Sequence, residues 1–179
     1  MYSSEFVENE AYKIAEVSKV GQFTDRCESF LKPLSGNTIR IAVLYVGVVG
    51  STKMTVYLST QELEFVIKSS WEQMSFTIEK HEGLVFKYVG DAVMAIFVSD
   101  SDAACKHVIE CGRDLVKTLK NPINSELIKK GIPRISLKHG IDYDDALVVS
   151  FRNNVDLIGF SLSIVSKITA LETANIVLI

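Results

Sequence analysis

The stretch Gly83 to Val98, GLVFKYVGDAVMAIFV, constrains this chain more than any other. Leu84 to Val89 and Ala92 to Val98 are two short β-rich runs, and Gly90-Asp91 between them is the kind of two-residue step that closes a tight hairpin. Such a hairpin holds one carboxylate at a fixed place within otherwise apolar sequence. Local chemistry leaves two readings of Asp91 open: it satisfies the turn through its own backbone, as Asp commonly does, or it carries chemistry.

A chain of 179 residues, 47% apolar and 23% charged, is the right size for one ordinary globular domain with a single core. The formal net charge is −3 and no basic block reaches five residues, which leaves no electrostatic footprint for nucleic acid or an anionic membrane surface. The acidic start MYSSEFVENE lacks a signal-peptide pattern, and no apolar run approaches the ~18 residues that span a bilayer. Cys27, Cys105 and Cys111 are odd in number and show no CxxC spacing, so neither a disulfide framework nor a zinc site is indicated. Reduced thiols and a cytoplasmic setting are expected.

Residues 1–38 read as a helical extension or linker, with Thr24 to Leu31 a short helix ended by Pro33 and Ser35-Gly36. Residues 39–179 read as the main domain. Thr38 to Val46 lacks alternation, as a strand buried on both faces does. Val49-Gly50-Ser51-Thr52 follows, either a cradle in which small residues let backbone N–H groups approach an anion or a plain strand-to-helix turn. It is not a Walker A loop, because its glycines and Lys53 have the wrong spacing. Ser59 to Lys80 is an amphipathic helix on Leu63, Val66, Ile67, Ser70, Met74 and Ile78, with Gly83 just past its end.

Ser99-Asp100-Ser101-Asp102 reads as a cap for a second helix, Ala103 to Lys120, with Ala104, Val108, Cys111, Leu115 and Leu119 inward. Asn121 to Pro133 is a polar connection with room for a helical turn. Arg134 to Ile141 alternates like a half-exposed strand, Tyr143-Asp144-Asp145 is expected to turn it, and Ala146 to Phe151 to pair back. Asp142, Asp144 and Asp145 lack the full loop pattern and glycine of a calcium site. A third helix from Gly159 to Thr173 and a strand from Asn175 complete the order. The chain ends inside that apolar run, so a sequence continuing past Ile179 is expected.

Taken together, Ile41 to Thr52, Val85 to Phe97, Pro133 to Val148 and Val155 to Lys167 resemble the class III adenylate/guanylate cyclase catalytic domain, in its order and at its spacing. The element order fits an α+β ferredoxin-like sandwich, a βαββαβ core with additional strands, in which a central antiparallel sheet carries helices on one side. The resemblance implies a dimer with each active site built across the interface. Two carboxylates of one subunit hold two divalent metals, and purine-reading and transition-state residues come from the other. Cyclisation is an in-line attack of the ribose 3′-oxygen on the α-phosphate, so the metals must lower that oxygen's proton affinity and neutralise the departing pyrophosphate.

By this resemblance Asp91 matches the second metal Asp. The first belongs to the pattern apolar-Phe-x-Asp-Ile-x-Gly, and in Leu44-Tyr45-Val46-Gly47-Val48-Val49-Gly50 its place is taken by Gly47. Lys87 and Asp156 match the purine-reading pair. An ammonium donor and a carboxylate acceptor there select adenine over guanine. Ser163 and Lys167 stand where the family has a transition-state Asn and Arg, Phe160 replaces a polar residue, and Asp144 stands at a usual Gly. Lys keeps the charge but loses the planar fork that grips phosphate oxygens in two places.

One lost transition-state donor commonly costs about 3 kcal/mol. The departures therefore predict a cyclase-homology domain of cyclic-nucleotide signalling that is catalytically impaired and binds an adenine nucleotide as a regulatory dimer. Gly50, Ser51 and Thr52 would contact phosphate, with Mg2+ or Mn2+ accompanying the nucleotide. Two alternatives stand beside it. One is an active adenylate cyclase forming cyclic AMP and pyrophosphate, as a homodimer or beside a complete cyclase subunit. The other is a protein-interaction domain on the same fold.

Overall fold

The strand β1 (Thr38–Val48) is the middle of the sheet, and its uninterrupted apolar run buries residues on both faces. The structure, a computed structural model, describes residues 20–98, 103–118, 123–170 and 177–178. In chain order its elements are α1 (Val20–Leu31), β1, α2 (Ser51–Tyr57), α3 (Thr60–Lys80), β2 (Leu84–Val89), β3 (Ala92–Val98), α4 (Ala103–Thr118), α5 (Asn124–Lys129), β4 (Leu137–Phe151), β5 (Asn154–Ile158), α6 (Phe160–Ala170) and β6 (Val177–Leu178). A short 3-10 turn, Lys32–Leu34, follows α1. The expected Ser99 to Asp102 cap, Leu119, and residues 1–19 and 171–176 lie outside the described residues.

The sheet runs β2-β3-β1-β4-β5, all antiparallel, with β6 added parallel to β4 at His139 and Gly140. One face of β1, through Ala42, Leu44, Val46 and Val48, packs with Val66, Met74 and Ile78 of α3 and Val108, Cys111 and Leu115 of α4. The other, through Ile41 and Val43, packs with Cys27 and Leu31 of α1 and Val165 of α6. Helices therefore cover both faces, where a sandwich with helices on one side was expected. A central strand without alternation has apolar side chains to bury in both directions, and a single helical layer would leave one set in water.

The expected turn at Tyr143-Asp144-Asp145 is absent. β4 is one strand of 15 residues. Its register with β1 runs unbroken from Leu137 opposite Val48 to Leu147 opposite Thr38, and the hairpin closes later, at Arg152, whose φ is 57°. Arg40, directly across from Asp145, donates to its carboxylate at 2.7 Å, and this holds Asp145 below the usual carboxylate range. Asp145 is exposed and Asp142 and Asp144 are half-buried on a long paired strand, and strand pairing outweighs the turn preference of Asp144 and Asp145.

α3 starts with a reciprocal cap: Ser59 Oγ accepts from the Glu62 N–H, and the Glu62 carboxylate accepts from the Ser59 N–H at 2.8 Å. At its other end the left-handed residue is Glu82, with φ 63°. Gly83 is required for room instead, since a Cβ there would lie 2.6 Å from the Phe97 ring. Asp114 of α4 ties this turn down, accepting from Lys117 at 2.9 Å and lying 3.0 Å from His81 Nε2. These partners lower its pKa from the ordinary 3.8 to about 2, Lys117 contributing most. A carboxyl whose pKa falls on folding stabilises above its unfolded value, and that contribution is lost as pH drops towards the folded one. Asp114→Asn is therefore expected to flatten the loss of stability between pH 4 and 2 in urea melts at stepped pH; parallel curves for the two proteins would refute this.

Among the described residues no helix is long and apolar enough to cross a membrane.

Candidate functional site

β1 and the β2–β3 hairpin meet at Gly47. Pairing of Val46 with Val93 brings the end of β1 beside the hairpin turn, and Asp91 Oδ2 accepts a hydrogen bond from the Val48 N–H at 2.7 Å. A Cβ on Gly47 would lie 3.3 Å from that same carboxylate oxygen and 3.3 Å from the Ala92 Cβ. The hairpin carboxylate thus lies over the glycine. Both local readings of Asp91 miss this partner, which comes from another strand.

A cavity of about 250 Å³ opens at this point. Gly47 and Asp91 line it together with Gly50, Ser51 and Thr52. Gly50 takes φ 74° to turn the chain from β1 into the seven-residue α2, so the small residues of the Val49 to Thr52 stretch become the cavity wall. Segments about forty residues apart in sequence thereby form one site.

Three further parts of the wall come from residues that the sequence did not single out. Lys138 of β4 is directly opposite Gly47, hence on the same face of the sheet, and lines the cavity. In sequence it looks like one more polar residue of an alternating strand. Tyr45, two residues before Gly47, shares that face and also lines the cavity. Burial, and then the charge of Asp91, raise its phenol above the ordinary value, so it stays protonated and can donate. From α6 come Ser166 and Thr169, held close because Gly140, opposite Tyr45, has no side chain between β4 and the helix. Their hydroxyls donate to carbonyls of their own helix, Ser163 and Val165.

Ser163 and Lys167 are exposed on α6 and do not line the cavity. Lys87 and Asp156 meet elsewhere: Lys87 Nζ lies 2.7 and 2.8 Å from the two Asp156 oxygens, with the side chains 43% and 51% exposed. Lys87 also sits 4.7 Å above the Phe86 ring, and Asp156 accepts from the Leu157 N–H. β2 and β5 are the two ends of the strand path, so the sheet curls until its edges touch through this pair.

Two divalent ions ordinarily need two carboxylates with free oxygens. Here the cavity offers Asp91 alone, with one oxygen already on a backbone N–H, and a lysine directly opposite the glycine. Among the described residues no three His, Cys, Asp or Glu side chains converge. The donor set does not fit a metal pair. It fits at most one hard cation that brings most of its ligands as water and phosphate.

No protein-family model matches the chain. An adenylate cyclase of Anabaena cylindrica is 25% identical over 141 residues, 76% of this chain and 28% of that protein's length. Among solved structures, the guanylyl cyclase Cya2 superposes with a TM-score of 0.74 at 18% identity, over 80% of this chain and 75% of that one. The adenylyl cyclase CyaB from P. aeruginosa does so with 0.72 at 20%, over 79% and 76%. The curled antiparallel sheet and its strand order match those cyclase catalytic domains: this chain has the class III nucleotide cyclase fold.

Proposed function

We propose that this chain is a cyclase-homology module of cyclic-nucleotide signalling that binds an adenine nucleotide as a dimer, with little or no cyclase activity of its own. One observation carries the reading: Lys87 and Asp156, the pair the resemblance assigns to the purine, meet in a solvent-accessible ion pair, while Gly47 stands where the resemblance places the first metal Asp. In the dimer the exposed Lys87, Asp156, Ser163 and Lys167 would face the cavity of the partner copy. The partner is a second copy of this chain, or a complete cyclase subunit, in the cytoplasm, with residues 1–38 as the segment through which an upstream signal enters.

Adenine fits the pair chemically. Its N1 accepts from the Lys87 ammonium and its exocyclic amine donates to Asp156, whereas guanine presents a donor and an acceptor in the reverse order. Exposed ion pairs are worth about 0–1 kcal/mol, so a purine can displace Lys87 from Asp156 at small cost. A divalent ion arriving with the nucleotide would find only the free oxygen of Asp91. With Ser163 and Lys167 in place of the family's Asn and Arg, this chain's residues bind and orient a nucleotide without completing the charge stabilisation of the transition state.

The test is calorimetric titration with a non-hydrolysable ATP analogue, with a cyclic AMP assay on the same sample. Binding without product is expected, and Lys87→Ala should weaken binding about tenfold or more, the usual loss for a hydrogen bond to a charged group. Cyclic AMP that disappears in Asp91→Ala would overturn the impaired reading in favour of an active enzyme. Absence of nucleotide binding would move the chain to the protein-interaction reading.

A further inference from the structure

We infer that the cavity at Gly47 holds the phosphate end of its ligand without a divalent cation, and that the Tyr45 hydroxyl donates to that phosphate directly. This rests on the nucleotide reading above and specifies how the site would bind an anion.

A two-carboxylate cavity repels phosphate until metals neutralise it; this cavity has a different charge balance. Gly47 removes one carboxylate, and the Val48 N–H occupies an oxygen of the other at 2.7 Å. Lys138, paired with Gly47 across the ladder and on the same face, also lines the cavity, so its two charged side chains, Lys138 and Asp91, sum to zero. The remaining lining is rich in hydroxyls, from Ser51, Thr52 and Tyr45 among others. A phosphate entering here meets no net charge repulsion, and the Lys138 ammonium and the hydroxyls offer it donors without an added ion.

Tyr45 is the departure that points to a direct donor. The family pattern has Phe at this place, where an aromatic ring need only fill space. Here Tyr45, two residues along the strand from Gly47 and on the same face, lines the cavity, and its hydroxyl makes no hydrogen bond to any described residue. A half-buried phenol beside a polar cavity ordinarily finds a partner. An anion bound against Lys138 would be that partner.

The experiment titrates the protein with inorganic tripolyphosphate and, separately, with the non-hydrolysable ATP analogue, each in EDTA and in Mn2+. Both ligands are expected to bind in EDTA with affinities within about twofold of those in Mn2+, and Tyr45→Phe to weaken both about five- to tenfold with an unchanged melting temperature. Unchanged affinity in Tyr45→Phe would overturn the direct donor. Binding of the ATP analogue only in Mn2+ would overturn metal independence while leaving the nucleotide reading intact. Tripolyphosphate binding in EDTA, with the analogue no tighter and indifferent to Lys87→Ala, would support this inference and sink the adenine reading. Binding of neither ligand under any condition would overturn both.

Discussion

Gly140→Ala is expected to cost about 3 kcal/mol and to open the cavity in the same step. A Cβ at residue 140 would lie 2.3 Å from the Val165 carbonyl oxygen, 2.6 Å from Thr169 Oγ1 and 3.2 Å from the Val165 carbonyl carbon. Two of those atoms are helix backbone, which no rotamer change relieves. α6 would have to lift from β4, whereas overpacking that side chains can absorb costs about 1–3 kcal/mol. Because Thr169 is buried and also lines the cavity, the displacement widens the site as it weakens the core. For a domain whose total stability is about 5–15 kcal/mol, this is a large fraction. Urea denaturation reads it as a lower midpoint at constant slope. Gly21→Ala is the control, since nothing lies within 4 Å of that position in α1 and alanine favours helix. A Gly140→Ala midpoint equal to wild type would mean that α6 does not rest on β4 in solution.

Gly47→Asp is expected to make the protein metal-responsive. Its Cβ would sit 3.3 Å from Asp91 Oδ2 and from the Ala92 Cβ, tight contacts that shifts of a few tenths of an ångström relieve. Without metal, the two adjacent carboxylates repel one another and cost about 1 kcal/mol, moderated by Lys138 directly across the ladder. With Mn2+ at a hundred times its Kd, binding to the folded state alone adds about 2.7 kcal/mol. In a domain of this size each kcal/mol moves Tm by about 2–4 °C, so a rise of about 5–10 °C is expected in the variant. Wild type should move by less than about 1 °C. Cyclic AMP formation should not appear, because Ser163 and Lys167 are unchanged. Equal Mn2+ shifts in the two proteins would show that Gly47 does not set the metal response.

Much of the architecture was legible because its signals are local. The helical spacing of Val66, Ser70, Met74 and Ile78 and the Gly90-Asp91 step each depend on neighbours within a few residues. β4 departs from expectation for the same reason in reverse. Tyr143, Asp144 and Asp145 look like turn residues over a short window, yet eleven registered pairs with β1 and the Arg40 ion pair keep that strand extended. Helices on both faces were implicit in the non-alternating β1, but only packing shows what covers each side.

At the candidate site the division is sharper. Spacing and residue type, read through a family resemblance, pointed to Asp91, Gly47, Lys87 and Asp156. The sequence could not tell that Lys87 and Asp156 meet across the two ends of the sheet, because contact between edge strands depends on how far the whole sheet curls. Nor could it distinguish Lys138 and Tyr45 from ordinary strand residues, since alternation gives the face of a side chain but not its cross-strand neighbour. By itself, the sequence determined most of the elements, the two-sided burial of β1 and a glycine at residue 47, all properties of residues and their near neighbours. Only the tertiary structure decided what stands around that glycine: Asp91 on the Val48 N–H, Lys138 opposite and Tyr45 alongside. Strand register and sheet curl determine those neighbours, and both arise from the packing of the whole chain.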